Sequence, residues 1–147
     1  MQFFAGKWSR QLLQKDVHIS VLEAWTTVMI DFTWGHLWSG RKVIVRTDSK
    51  HGCACLNRLW SKTESMAILC DLWEDIQFHF GVEALIVFCS GKTNVCADAA
   101  SRVAKDKVED VLRRDMATSD VTVRSFKEIP VEWTRGDLSC DVGALLR

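Results

Sequence analysis

The chain has no tyrosine, a single proline (Pro130) and no excess of either charge, with 19 Lys and Arg against 19 Asp and Glu in 147 residues. With zero formal net charge, a polyanionic partner would have to be met by a local basic patch, because the molecule as a whole supplies no attracting field. No stretch approaches the roughly 18 consecutive apolar residues of a membrane-spanning helix, so no membrane partner is expected. The opening run Met1 to Lys7 lacks the basic segment followed by an apolar core that marks a secretory signal. Internal repeats and low-complexity tracts are also missing. What remains is a folding composition, 48% hydrophobic and 26% charged, at a length that suits one domain.

The cysteines are Cys53, Cys55, Cys70, Cys89, Cys96 and Cys140. An even count suits disulfides, but nothing points to secretion, and Cys70, Cys89 and Cys96 sit among apolar neighbours as buried free thiols do. The expectation is a reducing intracellular compartment, cytoplasm or nucleus, with an organelle left open. His51, Cys53 and Cys55 offer metal-ligating atoms, but their spacing is too tight for a zinc knuckle and no second Cys/His pair follows. Seven Trp and seven Phe suggest a core rich in indole rings. Trp25, Trp34, Trp38, Trp60 and Trp73 all fall in helix-like stretches.

Periodicity orders the chain. Phe3 to Trp8 reads as a short strand. A helix follows His18-Ile19-Ser20, with Ser20 and Glu23 spaced as a capping box. Leu22, Trp25, Met29 and Phe32, with Val21, Ala24 and Val28 beside them, form its apolar face. The β-branched run Lys42 to Thr47 reads as a strand ending at Asp48. Helices are expected over 49–61 and 64–80, the second with Ile68, Leu69, Leu72, Trp73 and Ile76 on one side and Gly81 as its stop. Glu83 to Cys89 is the next strand, Ser90 to Thr93 a turn, and Asn94 opens a further helix. Val121 to Phe126 alternates like a strand, and Pro130 and Gly136 mark loops. Strands alternating with helices imply a mixed α/β sheet covered by helices.

Three carboxylates stand where such folds place chemistry. Asp48 follows the C-terminal end of a strand, where open α/β sheets bind ligands. Glu23 and Asp98 each lie near the start of a helix. Hard oxygen ligands converging from separate elements suit Mg²⁺ or Mn²⁺. Each residue also has a purely structural reading: Glu23 as the far half of a capping box, Asp48 as a helix cap, Asp98 as an acid favoured near a helix N-terminus. Around the Asp48 strand, Arg41, Lys42, Arg46, Lys50, Arg58 and Lys62 could meet phosphates or form an ordinary solvated face.

The order of these residues resembles a known family. His18-Ile19-Ser20-Val21-Leu22-Glu23 looks like the "HINxLE" segment of ribonuclease H domains attached to retroelement reverse transcriptases. Val45-Arg46-Thr47-Asp48-Ser49 resembles the family's strand ending in "TDN" or "TDS". Gly91-Lys92-Thr93-Asn94-Val95-Cys96-Ala97-Asp98-Ala99-Ala100-Ser101-Arg102 follows the "GKxNxxADxxSR" pattern of the Ty3-like and DIRS-like elements. The resemblance implies an RNase H-like α/β fold, a mixed sheet flanked by helices, and hydrolysis of the RNA strand of RNA–DNA hybrids. It places Glu23, Asp48 and Asp98 as catalytic ligands of two Mg²⁺ (or Mn²⁺) ions. It also supports phosphate contacts from Arg46, Lys50 and Arg58, while Asn94, at a motif position, is expected to cap the helix carrying Asp98.

Two departures qualify the resemblance. The family's first aspartate belongs to a strand ahead of Phe3–Trp8, which this sequence does not include. Asp16, the only acid before Glu23, lies in a loop and does not inherit that role. The loop Cys89 to Thr93 also lacks the histidine that many cellular ribonucleases H carry there. The expectation is therefore an N-terminally truncated domain over 1–106 and a C-terminal extension over 107–147. Its activity would be that of a two-metal nuclease, impaired by the absent aspartate. The alternative is an inactive RNase H-like remnant serving as a structural component that binds protein or RNA, with a protein partner covering the sheet edge left open.

Overall fold

The computed structural model describes residues 17–94 and Ala97. Residues 17–89 belong to one compact unit, and residues 90–94 and Ala97 belong to a second. The expected strands Phe3–Trp8 and Val121–Phe126, Asp98, Cys96, Cys140 and the boundary at residue 106 lie outside the described residues.

The first unit runs α1 (Ile19–Trp34), a 3-10 turn (Gly35–Leu37), β1 (Lys42–Thr47), α2 (Lys50–Arg58), α3 (Glu64–Phe80) and β2 (Glu83–Phe88). β1 and β2 pair in parallel, with Lys42 opposite Glu83 and Thr47 opposite Phe88. The connection between them is the helical pair α2–α3, as a parallel pairing requires. The unit is therefore α/β. No helix among the described residues is long and apolar enough to cross a membrane.

Alternation along the strands decides what the sheet buries. Val45 and Thr47 of β1 and Ile86 of β2 are buried, whereas Ile44, Leu85 and Val87 on the opposite face are exposed. The helices contact one another, and α2 contacts both strands. Their shared core holds Val21, Leu22, Ala24, Trp25, Val28 and Met29 of α1 with Leu56, Met66, Leu69, Leu72, Trp73 and Ile76. The expected face of α3 is thus the buried one, with Ile68 half-buried. The indole-rich core is narrower than the composition suggests. Trp25 and Trp73 fill it, Trp34 and Trp38 are half-buried, and Trp60 is exposed just past α2.

Helix ends show how the elements stop. Gly81 closes α3 in the left-handed region, with φ +62° and its N–H turned back to the Gln77 and Phe78 carbonyls. At the end of α2 that conformation falls on Leu59, φ +52°, where a side chain is strained.

Candidate functional site

The capping box expected at Ser20 and Glu23 does not form. The N-cap of α1 is His18, whose Nδ1 accepts the Ser20 N–H at 3.2 Å. The helix begins two residues earlier than Ser20 would set it, and Glu23 falls beyond the first turn. Its half-buried side chain has no hydrogen-bond or ion-pair partner among the described residues.

Asp48 is relieved of its structural reading in the same way. Ser49 is the N-cap of α2, its Oγ accepting the Gly52 N–H at 3.2 Å. The Ser49 N–H in turn donates to Thr47 Oγ1 at 3.3 Å. Thr47 and Ser49 are both buried, so the turn is anchored on either side of Asp48, whose own side chain points to solvent. Cys89 N–H donates to Thr47 O at 2.8 Å, carrying the β1–β2 ladder up to this point.

Glycine brings the two carboxylates' elements together. A Cβ on Gly52 would stand 3.2 Å from Ala24 Cβ and 3.1 Å from Ser49 Oγ. The backbones of α1 and α2 therefore approach closely at Ala24 and Gly52, a contact that any side chain would crowd. Glu23 precedes Ala24, and Asp48 lies one turn before Gly52. Asp48 itself stands just past the C-terminal end of β1. Carboxylates suit a hard cation, but these two alone do not make up a metal site. No group of three or more His, Cys, Asp or Glu among the described residues is arranged to hold a metal ion.

The cations expected to meet phosphate are exposed but spread out. Arg46 stands on the open face of the sheet. Lys50 opens α2, its Nζ 5.1 Å from the Phe88 ring centroid, an arrangement worth about 0.5–1 kcal/mol when exposed. Arg58 ends α2, about 12 Å of helix from Lys50. Lys42 is engaged by Glu83 at 2.8 Å. His51 Nε2 lies 3.7 Å from Cys55 Sγ, while Cys53 Sγ donates instead to Ile86 O at 3.4 Å.

Sequence reasoning passed over Asp31. It is wholly buried, and neither carboxyl oxygen has a hydrogen-bond partner among the described residues. Burial raises its pKa from 3.8 to about 6. The available signal was its place seven residues after Ala24 and three after Val28, on the apolar stripe of α1. Cys70 is also buried, and its thiol is pushed up to about 11 by burial first and then by Cys55 and Asp71.

Comparison with protein-family models, curated proteins and solved structures gives no match for this chain.

Proposed function

We propose that this chain carries an RNase H-like domain of the retroelement reverse-transcriptase type, acting on the RNA strand of RNA–DNA hybrids. The observation that carries the reading is the release of Glu23 and Asp48 from structural duty. Their capping roles fall to His18 and Ser49, and their elements meet at Ala24 and Gly52. Asp48, without a structural partner just past the C-terminal end of a parallel strand, matches where α/β folds place ligands. By the resemblance alone, the motif from Gly91 to Arg102 would add Asp98 as a third ligand.

In this reading Glu23, Asp48 and Asp98 would hold Mg²⁺ or Mn²⁺, which supplies charge stabilisation at a phosphodiester and lowers the pKa of bound water. Hydrolysis adds a water oxygen to phosphorus and breaks the bond to the leaving oxygen. The chain's own contribution at Asp48 is a backbone anchored on either side, through the Thr47–Ser49 turn. Lys50, beside Asp48 and against Phe88, would meet a phosphate near the scissile one, with Arg46 and Arg58 reaching flanking phosphates. Recognition of this kind reads duplex shape and 2′-hydroxyls more than sequence. A reducing compartment, cytoplasm or nucleus, suits its thiols.

A second reading, an inactive remnant that binds a protein or RNA, is favoured by one observation: the outer edge of β1 is bare among the described residues. The test is incubation with a labelled RNA–DNA hybrid and Mg²⁺ or Mn²⁺. Cleavage that falls at least about a hundredfold in Asp48→Asn and Glu23→Gln supports the nuclease, in line with the loss of one stabilising group. A folded chain that leaves the hybrid intact, or cleavage indifferent to Asp48→Asn, overturns it.

A further inference from the structure

The two outer edges of the sheet are finished differently. The bonds from Glu83 N–H to Arg41 O and from Cys89 N–H to Thr47 O fix the phase of the parallel ladder. In that phase Val43, Val45 and Thr47 face β2, while Ala84, Ile86 and Phe88 turn their backbone groups away from β1. That outer edge of β2 is closed by side-chain amides. Ala84 N–H donates to Gln77 Oε1 at 2.8 Å. Ile86 N–H donates to Asn57 Oδ1 at 3.0 Å, and Ile86 O accepts from Asn57 Nδ2 at 2.7 Å. Asn57 thus makes both bonds that a neighbouring strand would make.

Nothing comparable serves β1. The same phase turns the N–H and C=O of Lys42, Ile44 and Arg46 outward, and none of them has a partner among the described residues. A bare strand edge is a template for another strand. The side chains of these three residues share the open face, where Ile44 is 67% exposed beside Leu85 at 55%.

Charge decides what fits. A second copy docked antiparallel about Ile44 would set Lys42 opposite Arg46 of that copy, and a parallel copy in register would stack like on like. Like charges directly across a sheet are destabilising, so β1 is guarded against itself. The same pattern favours a strand bearing acids. Lys42 is already engaged by Glu83, whereas Arg46 has no ion-pair partner among the described residues.

We propose that the β1 edge is a docking site for an extended segment of a protein partner with the pattern acid–x–apolar–x–acid. The segment adds a strand to the sheet, its apolar residue beside Ile44 and its acids beside Lys42 and Arg46. Main-chain bonds supply affinity and the alternating side chains supply selectivity. The pattern is symmetric, so it is met in either strand direction.

The test uses the full chain and a synthetic peptide with a Glu-Thr-Val-Thr-Glu core, read by amide hydrogen exchange and fluorescence anisotropy. In the free chain the amides of Ile44 and Arg46 are expected to exchange fast while those of Val45 and Thr47 are protected. The peptide should slow the first pair at least about tenfold and bind saturably. Arg46→Glu should weaken binding about fivefold to tenfold. Ile44→Pro should abolish it, because the N–H removed belongs to no β1–β2 bond; continued protection of Val45 and Thr47 shows that the ladder survives. A peptide with Lys for Glu should not bind. The proposal is overturned if the peptide gives no protection, or if the edge amides are already protected in the free chain, which would mean that a segment of the chain itself covers them. Protection that rises with chain concentration, from a second copy, or that an RNA–DNA hybrid reproduces, overturns it equally. Docking is read at Ile44 and cleavage at Glu23 and Asp48, so the two proposals fail separately.

Discussion

Asp31 turns the fold into a pH-dependent quantity. Its carboxyl is wholly buried, unpartnered among the described residues, and raised from 3.8 to about 6 by burial alone. The folded chain therefore holds the proton to a higher pH than the unfolded chain does. Below pH 3.8 both states are protonated and the residue costs nothing in charge. As pH rises from there to about 6, the unfolded state ionises first and stability falls; above that window the loss is constant. At 1.36 kcal/mol per pH unit the full effect is about 3 kcal/mol, a large share of the ~5–15 kcal/mol that holds a domain folded. Asp31→Asn removes the titration but leaves a buried amide without a partner, which returns part of the gain. The variant should be more stable than the parent by about 1–3 kcal/mol near pH 8, and the difference should shrink to within about 1 kcal/mol near pH 4. Urea midpoints of both proteins across that range measure it. Parallel pH profiles would refute the reasoning, because they would mean that the carboxyl is solvated or paired.

Other substitutions probe the remaining joints. Asn57→Ala leaves Ile86 N–H and C=O without their partner and should cost about 1–3 kcal/mol in urea unfolding; an unchanged midpoint would mean that water replaces the amide freely. Gly52→Ala places a methyl 3.2 Å from Ala24 Cβ and should destabilise by about 1–3 kcal/mol, lowering hybrid cleavage beyond its effect on folding by moving Glu23 away from Asp48. Ser49→Ala removes the cap of α2 at about 1 kcal/mol, measured as a drop in thermal midpoint. Leu59→Gly relieves a left-handed φ of +52° at an exposed position and should raise the thermal midpoint by the equivalent of up to about 1 kcal/mol; a lowered midpoint would refute the strain.

The sequence announced most of the elements but not the faces of the sheet. β1 and α3 begin and end where the β-branched run and the apolar period place them, because each carries a local signal strong enough to stand without context. The run Lys-Val-Ile-Val-Arg-Thr does not say which of its apolar residues goes inside. Val43, Ile44 and Val45 look equivalent in sequence, yet Val45 is buried and Ile44 is exposed. That choice is made by the helices covering one face, a tertiary decision. The same holds for the tryptophans, since Trp25 lies on the shared stripe of α1 and is buried while Trp60 falls beyond the last turn of α2.

At the candidate site the local signals misled in an informative way. Ser20 with Glu23 has the spacing of a capping box, and Asp48 before a helix has the chemistry of a cap, so each acid carried a sufficient structural explanation. His18 and Ser49 displace both explanations, each a single residue or two from the place expected. His18 wins because its Nδ1 reaches the Ser20 N–H and Ser20 Oγ together, the latter at 2.7 Å. Ser49 wins because its hydroxyl is close enough to the Gly52 N–H that Asp48 can turn outward. Such a displacement leaves an acid with no energetic reason to be where it is in terms of folding alone. Glu23 is half-buried without a partner among the described residues. A bound cation would supply one. The hybrid-cleavage proposal therefore makes a thermodynamic demand as well as a kinetic one: Mg²⁺ should raise the thermal midpoint of the parent chain and not that of Glu23→Gln, since a ligand bound only by the folded state stabilises it by mass action. An equal response of the two chains to Mg²⁺ would mean that Glu23 holds no ion.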